Sequence, residues 1–456
     1  MKNAYIKALC LALALIAFTS ALSGCKGGAD VPDTTQDEST GNGESYMPHP
    51  SDPNDVTLPN YYDGAEFVIA CQAGNEQSDV FFDEGLTYEL DRQIKARNEA
   101  VEKKLGVKII ESSKQNLAEY INELTLSEQA PDLIYASGNG GMSELMLYGS
   151  LASLSDYRGN NTTAAGISVS VVQQLSVYGE LYMLTGAPIR SSLDSATVVA
   201  YNTKALSALG YEQGYLCQSV LDGDWTLDKM TVIAKQAAAL NSEDASYRAV
   251  SGNMNSLYSL WKGLGARTVE KANGDVPTIA IHTPKNVYLF EAVNGFSDEV
   301  GGIPDGSESL FYIGKISDAR SAFKEDFGVL PMPAYNEGGE YTCLLDFDST
   351  YFTAMPKTAE NREMTLDFLR EFYSESVDTV YPQIIGDECF KNTEVLDIIL
   401  KSRYFDFLDM YGIGHIVSTA FYSQTDKENF DSLLLLRDTF ARDALEIALG
   451  KSVGEG

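Results

Sequence analysis

The residue types that commonly carry catalytic chemistry are few and scattered in this chain. His49, His282 and His415 lie far apart in the sequence, which disfavours a histidine-based metal site or proton-transfer site. The stretch Ser259–Lys262 fits the Ser-x-x-Lys pattern of acylating enzymes, but the Ser-x-Asn stretch Ser251–Asn253 precedes it instead of following it. There is no His-Glu-x-x-His or Gly-x-Ser-x-Gly motif, and 65 Asp and Glu residues make chance carboxylate pairs common. We therefore predict no catalytic residue, no metal site and no cofactor.

The N-terminus predicts a covalent modification. A short basic segment precedes the apolar run 8–18, which is shorter than the roughly 20 residues that span a bilayer. The sequence of Leu22–Cys25 is similar to a bacterial lipobox, in which the cysteine is lipidated and becomes the new N-terminus. We predict a signal peptide over residues 1–24 and lipidation of Cys25, which would anchor the protein to the cell membrane on its extracellular side. An ordinary signal peptide with a chance cysteine is the alternative.

The charge balance restricts the partners. Lys and Arg number 33 against 65 Asp and Glu, so the formal net charge is −32. Nucleic-acid binding requires clustered basic residues and is excluded as a function. Residues 25–60 are rich in glycine, proline and acids, which predicts a disordered tether with a reach of roughly 30 Å. The acidity also favours neutral or cationic solutes over anionic ones.

From Tyr61 onward, strand and helix patterns alternate. Short apolar runs at 66–71, 107–110 and 131–136 predict buried strands, and the patterns at 90–105 and 117–129 predict helices. This β–α–β–α–β order predicts parallel strands with helices on both faces of a sheet. In such sheets, ligands bind beyond the carboxyl ends of the strands.

Strand patterns return late in the chain. They recur at 180–184, 197–201, 310–314 and 328–331, separated by a helix over Leu227–Leu240 with Thr226 as its N-cap, and a helical pattern dominates from 359 onward. This arrangement predicts that the chain leaves one lobe and comes back to it. We assign residues 61–194 plus 305–345 to lobe 1, and residues 195–304 plus 346–456 to a mostly helical lobe 2.

A series of motifs, taken in order, resembles the extracellular solute-binding lipoproteins of ABC importers, in particular their carbohydrate-type branch. Besides the lipobox, they are Arg97–Val107, Ala130–Ile134, Tyr201–Leu206, Gly223–Leu227, Asp326–Pro333, Met355–Lys357 and Glu394–Ile399. The resemblance extends from about residue 60 to about residue 450. It implies an α/β, two-lobe periplasmic-binding-protein-like fold with a hinge and an interlobe cleft. It also implies a small-molecule ligand of the saccharide class and ABC transporter permease subunits as partners.

The resemblance supplies no fixed ligand residues, so candidates come from chemistry. Sugars present C–H faces and hydroxyl groups, which require aromatic side chains and planar polar partners. Trp261 is a candidate, with core packing as the alternative. Asp348 and Tyr351, where the chain should cross between lobes, are candidates for hydroxyl binding and stacking; an ordinary strand with solvated acids is the alternative. Asn75 and Asn139, in loops after strands, are further candidates.

Two other features leave alternatives open. The glycine-rich stretch Ser137–Gly141 lacks the Lys-Ser/Thr ending of a P-loop; it either offers free N–H groups to a ligand or forms a turn that requires glycine. Cys71, Cys217, Cys343 and Cys389 are widely spaced, which permits either disulfides or buried thiols.

The sequence therefore predicts a membrane-anchored extracellular solute-binding protein, and no enzyme. It would capture a mono- or oligosaccharide by lobe closure and deliver it to an ABC transporter. The alternatives are a surface polysaccharide-degrading lipoprotein and a surface adhesion or scaffold protein.

Overall fold

A computed structural model describes residues 61–453 apart from 74–78, 82–84, 86–87, 125–129, 156–168, 245–246, 273–275, 307–308, 324–325, 387–388 and 424–426. The signal peptide, Cys25 and the tether lie outside the described residues, so the expectations for them stay predictions. Asn75 also lies outside.

The strands and helices alternate along the chain. The strands are β1 (Ala65–Gln72), β2 (Val107–Lys114), β3 (Leu133–Ser137), β4 (Ser176–Val177), β5 (Glu180–Leu181), β6 (Met183–Leu184), β7 (Thr197–Asn202), β8 (Val250–Gly252), β9 (Val269–Ala272), β10 (Val276–Ile279), β11 (Phe311–Lys315), β12 (Phe327–Leu330), β13 (Cys343–Leu345), β14 (Tyr351–Ala354) and β15 (Arg403–Phe405). The helices are α1 (Glu89–Leu105), α2 (Leu117–Glu123), α3 (Ser143–Leu147), α4 (Val169–Leu175), α5 (Ser191–Asp194), α6 (Thr203–Ala208), α7 (Tyr215–Leu221), α8 (Leu227–Leu240), α9 (Ser256–Gly263), α10 (Pro284–Glu299), α11 (Ile316–Ala322), α12 (Arg362–Asp378), α13 (Val380–Ile385), α14 (Thr393–Lys401), α15 (His415–Ser423) and α16 (Lys427–Val453).

The first sheet has the strand order β2-β1-β3-β14-β6. Strands β1, β2 and β3 are mutually parallel, as the β–α–β–α–β pattern predicts, while β14 is antiparallel to both β3 and β6. Helix α1 begins with acidic residues, buries Ile94 and Val101, and ends at Gly106 in the left-handed conformation that glycine favours. It packs against α12 and α13, so the later helices complete this lobe.

The second sheet has the order β12-β7-β11-β8. Strand β7 is antiparallel to β11 and β12, and β8 runs parallel to β11. Helix α8 begins as the sequence predicts, since the Thr226 hydroxyl accepts a hydrogen bond from the Lys229 N–H. Trp225, just before it, is fully buried against Phe311 and donates its indole N–H to the Pro331 carbonyl, so it is a packing anchor.

The strand pairings correct the predicted lobe boundaries. The assignment of 305–345 to lobe 1 is wrong for β11 and β12, because both pair in the second sheet. The assignment of 346–456 to lobe 2 is wrong at its start, because β14 pairs with β3 in the first sheet and α12 packs on α1. Which sheet a strand joins is decided by distant pairing partners, which the local pattern does not contain.

No helix in the described ranges is long and apolar enough to cross a membrane.

Candidate functional site

Two crossing segments, residues 185–196 and 346–350, connect the sheets side by side. The Asp346 N–H donates to the Ser195 carbonyl at 3.1 Å, and the Ser195 and Thr350 hydroxyl oxygens lie 2.5 Å apart. Ala196 and Leu345 form an antiparallel bridge. These bonds join the two segments side by side, and we call residues 185–196 and 346–350 the hinge.

The turn that follows β3 lies against the hinge. The N–H groups of Gly138 and Asn139 donate to carbonyls of the crossing segment 346–350 at 3.2 and 3.1 Å, and the Gly140 N–H donates to the Ser137 hydroxyl at 3.0 Å. Of the two alternatives left open for this stretch, these bonds favour the turn over N–H groups that are free for a ligand. A Cβ on Gly138 would lie 2.3 Å from the Phe347 carbonyl oxygen, so the close approach requires glycine.

Asp348 is exposed in the second crossing segment. Loss of hydration raises the pKa of its carboxyl, as does the nearby Asp346 carboxylate, while the positive charges of His415 and Lys315 oppose the shift. The Asp348 carbonyl binds the Asn139 N–H at 3.1 Å, and Asn139 is itself exposed. Two exposed residues joined through their backbones thus carry a carboxylate and a side-chain amide, groups that can make bidentate contacts with hydroxyl groups.

Tyr351 begins β14 and pairs in register with Ser137. Its half-buried ring stacks on the ring of Tyr135, with centroids 5.0 Å apart and planes inclined by 23°. Burial raises the pKa of the Tyr351 phenol, and a hydrogen bond with the Ser137 side chain opposes the shift. A fixed aromatic ring with a polar tip is an appropriate platform for an amphipathic ligand.

The second sheet presents its own polar groups at the hinge. Lys315, the last residue of β11, donates to the Asp346 carboxylate at 3.1 Å. Asn253, directly after β8, donates to the Asp318 carboxylate at 3.0 Å. Beside it, the Met254 side chain is 70% exposed, an unusual state for a large apolar residue. Strands β8 and β11 of the second sheet are thus followed by or end in polar and apolar groups, and Lys315 links β11 directly to the crossing segment 346–350.

Trp261 does not belong to this site. Its side chain is 0% exposed, it packs against Phe421 with ring centroids 4.9 Å apart, and its indole N–H donates to the Asn286 carbonyl at 2.9 Å. With both its faces and its polar tip satisfied internally, Trp261 is a core residue, and we remove it from the candidate site. Lys262, from the same Ser-x-x-Lys pattern, is also fully buried and pairs with Asp406.

The remaining chemistry-bearing residues are internal. Cys71, Cys217, Cys343 and Cys389 are buried as thiols and not as disulfides. In the part of the chain that the structure describes, no group of three or more His, Cys, Asp or Glu side chains is placed to hold a metal ion.

A cavity of about 1040 Å³ opens at the opposite end of the second sheet, lined by Tyr201, Tyr211 and Tyr215 among others. Its walls come from β7, α6, α7 and the segments around Asp326 and Lys391, without any residue of the first sheet. We prefer the hinge site to this cavity as the candidate ligand site, because the hinge site takes residues from both sheets and the cavity takes none from the first.

Sequence reasoning missed Tyr135, Lys315, Asn253 and Asp79, a buried carboxylate that binds Tyr135. The sequence offered a signal for two of them. Lys315 ends the strand β11, and Asn253 directly follows the short strand β8, and ligands in α/β sheets bind at such carboxyl ends. Tyr135 lies within a strand, where the pattern indicates only burial.

The fold is similar to those of two solved bacterial receptors. One is the bacterial solute receptor AcbH, reported to have an exclusive substrate preference for β-D-galactopyranose; the TM-score is 0.54 at 10% identity, with 85% of this chain and 99% of AcbH covered. The other is an ABC substrate-binding protein from Listeria monocytogenes in complex with cycloalternan; the TM-score is 0.50 at 13% identity, with 86% of this chain and 100% of that chain covered. No protein-family model and no curated protein sequence matches the chain. The chain therefore has the two-lobe α/β fold of ABC solute-binding proteins, which confirms the fold that the sequence motifs predict.

Proposed function

We propose that this protein is the extracellular solute-binding component of an ABC importer, and that it captures a mono- or oligosaccharide between its two lobes. The observation that carries the proposal is the meeting of Asp348, Asn139 and Tyr351 at a hinge between two sheets of this fold. The Tyr351 ring would stack on a sugar face, while Asp348 and Asn139 would bind hydroxyl groups. Both compared receptors are binding proteins, which supports a function without catalysis.

Closure would couple binding to delivery. A ligand that contacts residues of both lobes, such as Tyr351 and Met254, stabilises the closed arrangement, since only there are all its contacts made. A permease that recognises the closed form would then receive loaded protein in preference to empty protein.

The same proposal includes the membrane anchor. The lipobox at Leu22–Cys25 supports export, removal of residues 1–24 and lipidation of Cys25. Replacement of Cys25 by Ser should release the protein into the culture medium, which membrane fractionation would detect. Retention of the Cys25→Ser protein in the membrane fraction would contradict the anchor.

The function can be tested with a purified chain of residues 26–456, which keeps every described residue. Isothermal titration against neutral mono- and oligosaccharides, amino acids and peptides should yield a dissociation constant for at least one saccharide. Replacing Tyr351 by Ala should weaken that binding by about 10- to 100-fold, since it removes the stacking surface. Replacing Asp348 by Asn should weaken it by about 10-fold.

Matched controls are available on the second lobe. Tyr288→Ala removes a tyrosine that is 51% exposed on α10, and Asp298→Asn removes an exposed carboxylate from the same helix. Both should leave the saccharide affinity unchanged. Binding of peptides or amino acids without any saccharide would overturn the ligand class, and equal losses in the control variants would overturn the site.

A further inference from the structure

A buried carboxylate lies beneath the candidate site in the first lobe. Asp79 is 7% exposed and accepts a hydrogen bond from the Tyr135 hydroxyl at 2.8 Å. The Asp79 N–H donates back to the same hydroxyl oxygen at 3.4 Å, and the Arg190 backbone N–H donates to Asp79. A buried carboxylate without a salt-bridge partner is costly, so its presence calls for an explanation.

The backbone around Asp79 is pinned from α1. The Arg97 guanidinium, which is 0% exposed, donates to the carbonyls of Asp79 and Val80 at 3.0 and 3.2 Å. The neighbouring Asn98 amide donates to the Val80 carbonyl at 2.9 Å. These bonds give a physical role to the Arg-Asn pair that opens the first sequence motif. They also leave Asp79 little freedom to withdraw from Tyr135.

The contact continues from Tyr135 to the site. The Tyr135 ring is fully buried and carries the ring of Tyr351 stacked upon it at 5.0 Å. The position of the Tyr351 ring therefore depends on that of Tyr135, and the position of the Tyr135 hydroxyl depends on Asp79. The chain Asp79–Tyr135–Tyr351 runs from a buried charge to a half-exposed aromatic surface.

We propose that Asp79 is a positioning residue that fixes the Tyr351 platform through Tyr135, so that protonation of Asp79 loosens the platform and weakens ligand binding. The ligand-binding part of this proposal rests on the proposed function; the positioning part does not. The carboxylate form accepts the Tyr135 hydrogen. The protonated form still has an oxygen that can accept, but it is neutral, so the Tyr135 hydrogen bond loses its charge assistance and becomes weaker.

The titration falls in a physiological range. Burial raises the pKa of Asp79 to about 6, with the Tyr135 and Arg190 hydrogen bonds opposing the shift and the Asp194 charge adding to it. Among the residues that the structure describes, the titratable and charged groups around Asp79, Tyr135 and Tyr351 are Arg97, Arg190, Asp194 and Cys71. Burial raises the pKa of the Tyr135 phenol and of the Cys71 thiol, away from neutrality, and Asp194 is paired with Arg190 and Arg320. A transition near pH 6 in this region therefore reports Asp79.

A ligand-free experiment tests the positioning role. The chain of residues 26–456 is labelled with 3-fluorotyrosine, and the Tyr351 signal in the fluorine NMR spectrum is identified by its loss in the Tyr351→Phe variant. Between about pH 5 and pH 7.5, the Tyr351 signal should shift with a midpoint near the Asp79 pKa. In Asp79→Asn the shift should be absent, whereas Asp298→Asn should titrate as the unmodified protein does. A pH-independent Tyr351 signal in the unmodified protein, or an unchanged titration in Asp79→Asn, would overturn the proposal.

A second variant covers the case in which Asp79→Asn fails to fold. Tyr135→Phe keeps the stacked ring and removes only the hydroxyl, so the Tyr351 signal should again become independent of pH. A normal titration in Tyr135→Phe would rule out the relay through that hydroxyl.

Affinity gives the functional readout. For the saccharide found by titration calorimetry, the dissociation constant should be about 3- to 10-fold larger at about pH 5 than at about pH 7.5, because a loosened platform has to be ordered on binding. In Asp79→Asn the ratio should approach one. Failure to bind any saccharide would contradict the proposed function while the fluorine spectra still decide the positioning role.

Discussion

Two clusters of buried polar side chains compensate for the burial of a carboxylate in different ways. One is formed by Asp79 and Tyr135, and the other by Asp406 and Lys262. In the first, Asp79 has hydrogen bonds from Tyr135 and from the Arg190 backbone N–H, and the nearby Arg97 guanidinium binds carbonyls instead of the carboxylate. In the second, Asp406 and Lys262 are both 0% exposed and form a salt bridge of 2.8 Å. The Thr268 hydroxyl also donates to Asp406, at 2.5 Å.

The difference decides how each carboxylate titrates. Burial raises the pKa of Asp79 to about 6 because its hydrogen bonds do not compensate for lost hydration. Burial acts in the same direction on Asp406, but the Lys262 ammonium and the Thr268 hydrogen bond outweigh it and hold the pKa of Asp406 below its usual range. A close positive charge therefore keeps a buried carboxylate ionised at neutral pH, whereas hydrogen bonds alone leave its pKa raised toward neutrality.

The two carboxylates consequently contribute stability in opposite pH ranges, Asp79 at low pH and Asp406 at higher pH. The raised pKa of Asp79 contributes stability that is fully present below the unfolded value near pH 4 and is lost as the pH rises through about 6. The lowered pKa of Asp406 contributes stability that is present above the unfolded value and is lost as the pH falls toward the folded value.

The largest effect should come from breaking the ion pair. Lys262→Met leaves the Asp406 carboxylate buried without its counter-charge, and we expect a loss of about 3–5 kcal/mol in the free energy of unfolding. Urea denaturation at neutral pH measures it. Replacing both residues, Lys262 by Met and Asp406 by Leu, should recover at least half of the loss, because no unpaired charge remains. A single-variant loss below about 1 kcal/mol would show that the pair is not desolvated as the structure indicates.

The next effect should come from neutralising the unpaired carboxylate. Asp79→Asn removes the group that has to be ionised in a buried place above pH 6. The substitution should raise the free energy of unfolding by about 1–3 kcal/mol more at pH 8 than at pH 4. This difference follows from the rise in the pKa of Asp79 from 3.8 to about 6 on folding. Denaturation at several pH values measures it, with Asp298→Asn as the control. A gain that is independent of pH would contradict the assigned titration.

The sequence predicted the elements better than their association. Short apolar runs located β1 and β7 and the helical pattern located α8, since the local sequence is all that these elements require. The lobe boundaries failed at β11 and β14, because each is an apolar strand that would suit either sheet. Strand β11 pairs with β7 across more than 100 positions and with β8 across 61 positions, and β14 pairs with β3 across more than 200 positions.

The site was predicted only in part for a similar reason. Tyr351 and Asp348 were identified by their expected place at a lobe crossing, and the structure puts them there beside Asn139. Trp261 has an aromatic side chain of the kind that stacks on sugars. Side chains from other helices bury it completely, however, so it is a core residue. Asp79 stands outside regular structure, and nothing in its neighbourhood in the sequence indicates that Tyr135 will bind it.

The substitutions with the smallest expected effects test the comparison most selectively, because each removes one hydroxyl that donates to one of the two carboxylates. Thr268→Val and Tyr135→Phe should each destabilise the fold by about 1–2 kcal/mol at pH 8, since each deletes one hydrogen bond to an ionised group. At about pH 5 the loss in Thr268→Val should persist, because Asp406 is still ionised. The loss in Tyr135→Phe should shrink, because Asp79 is then protonated and no longer needs the phenol hydrogen. Denaturation of both variants at the two pH values measures the difference, and parallel behaviour would mean that the two carboxylates share one ionisation state.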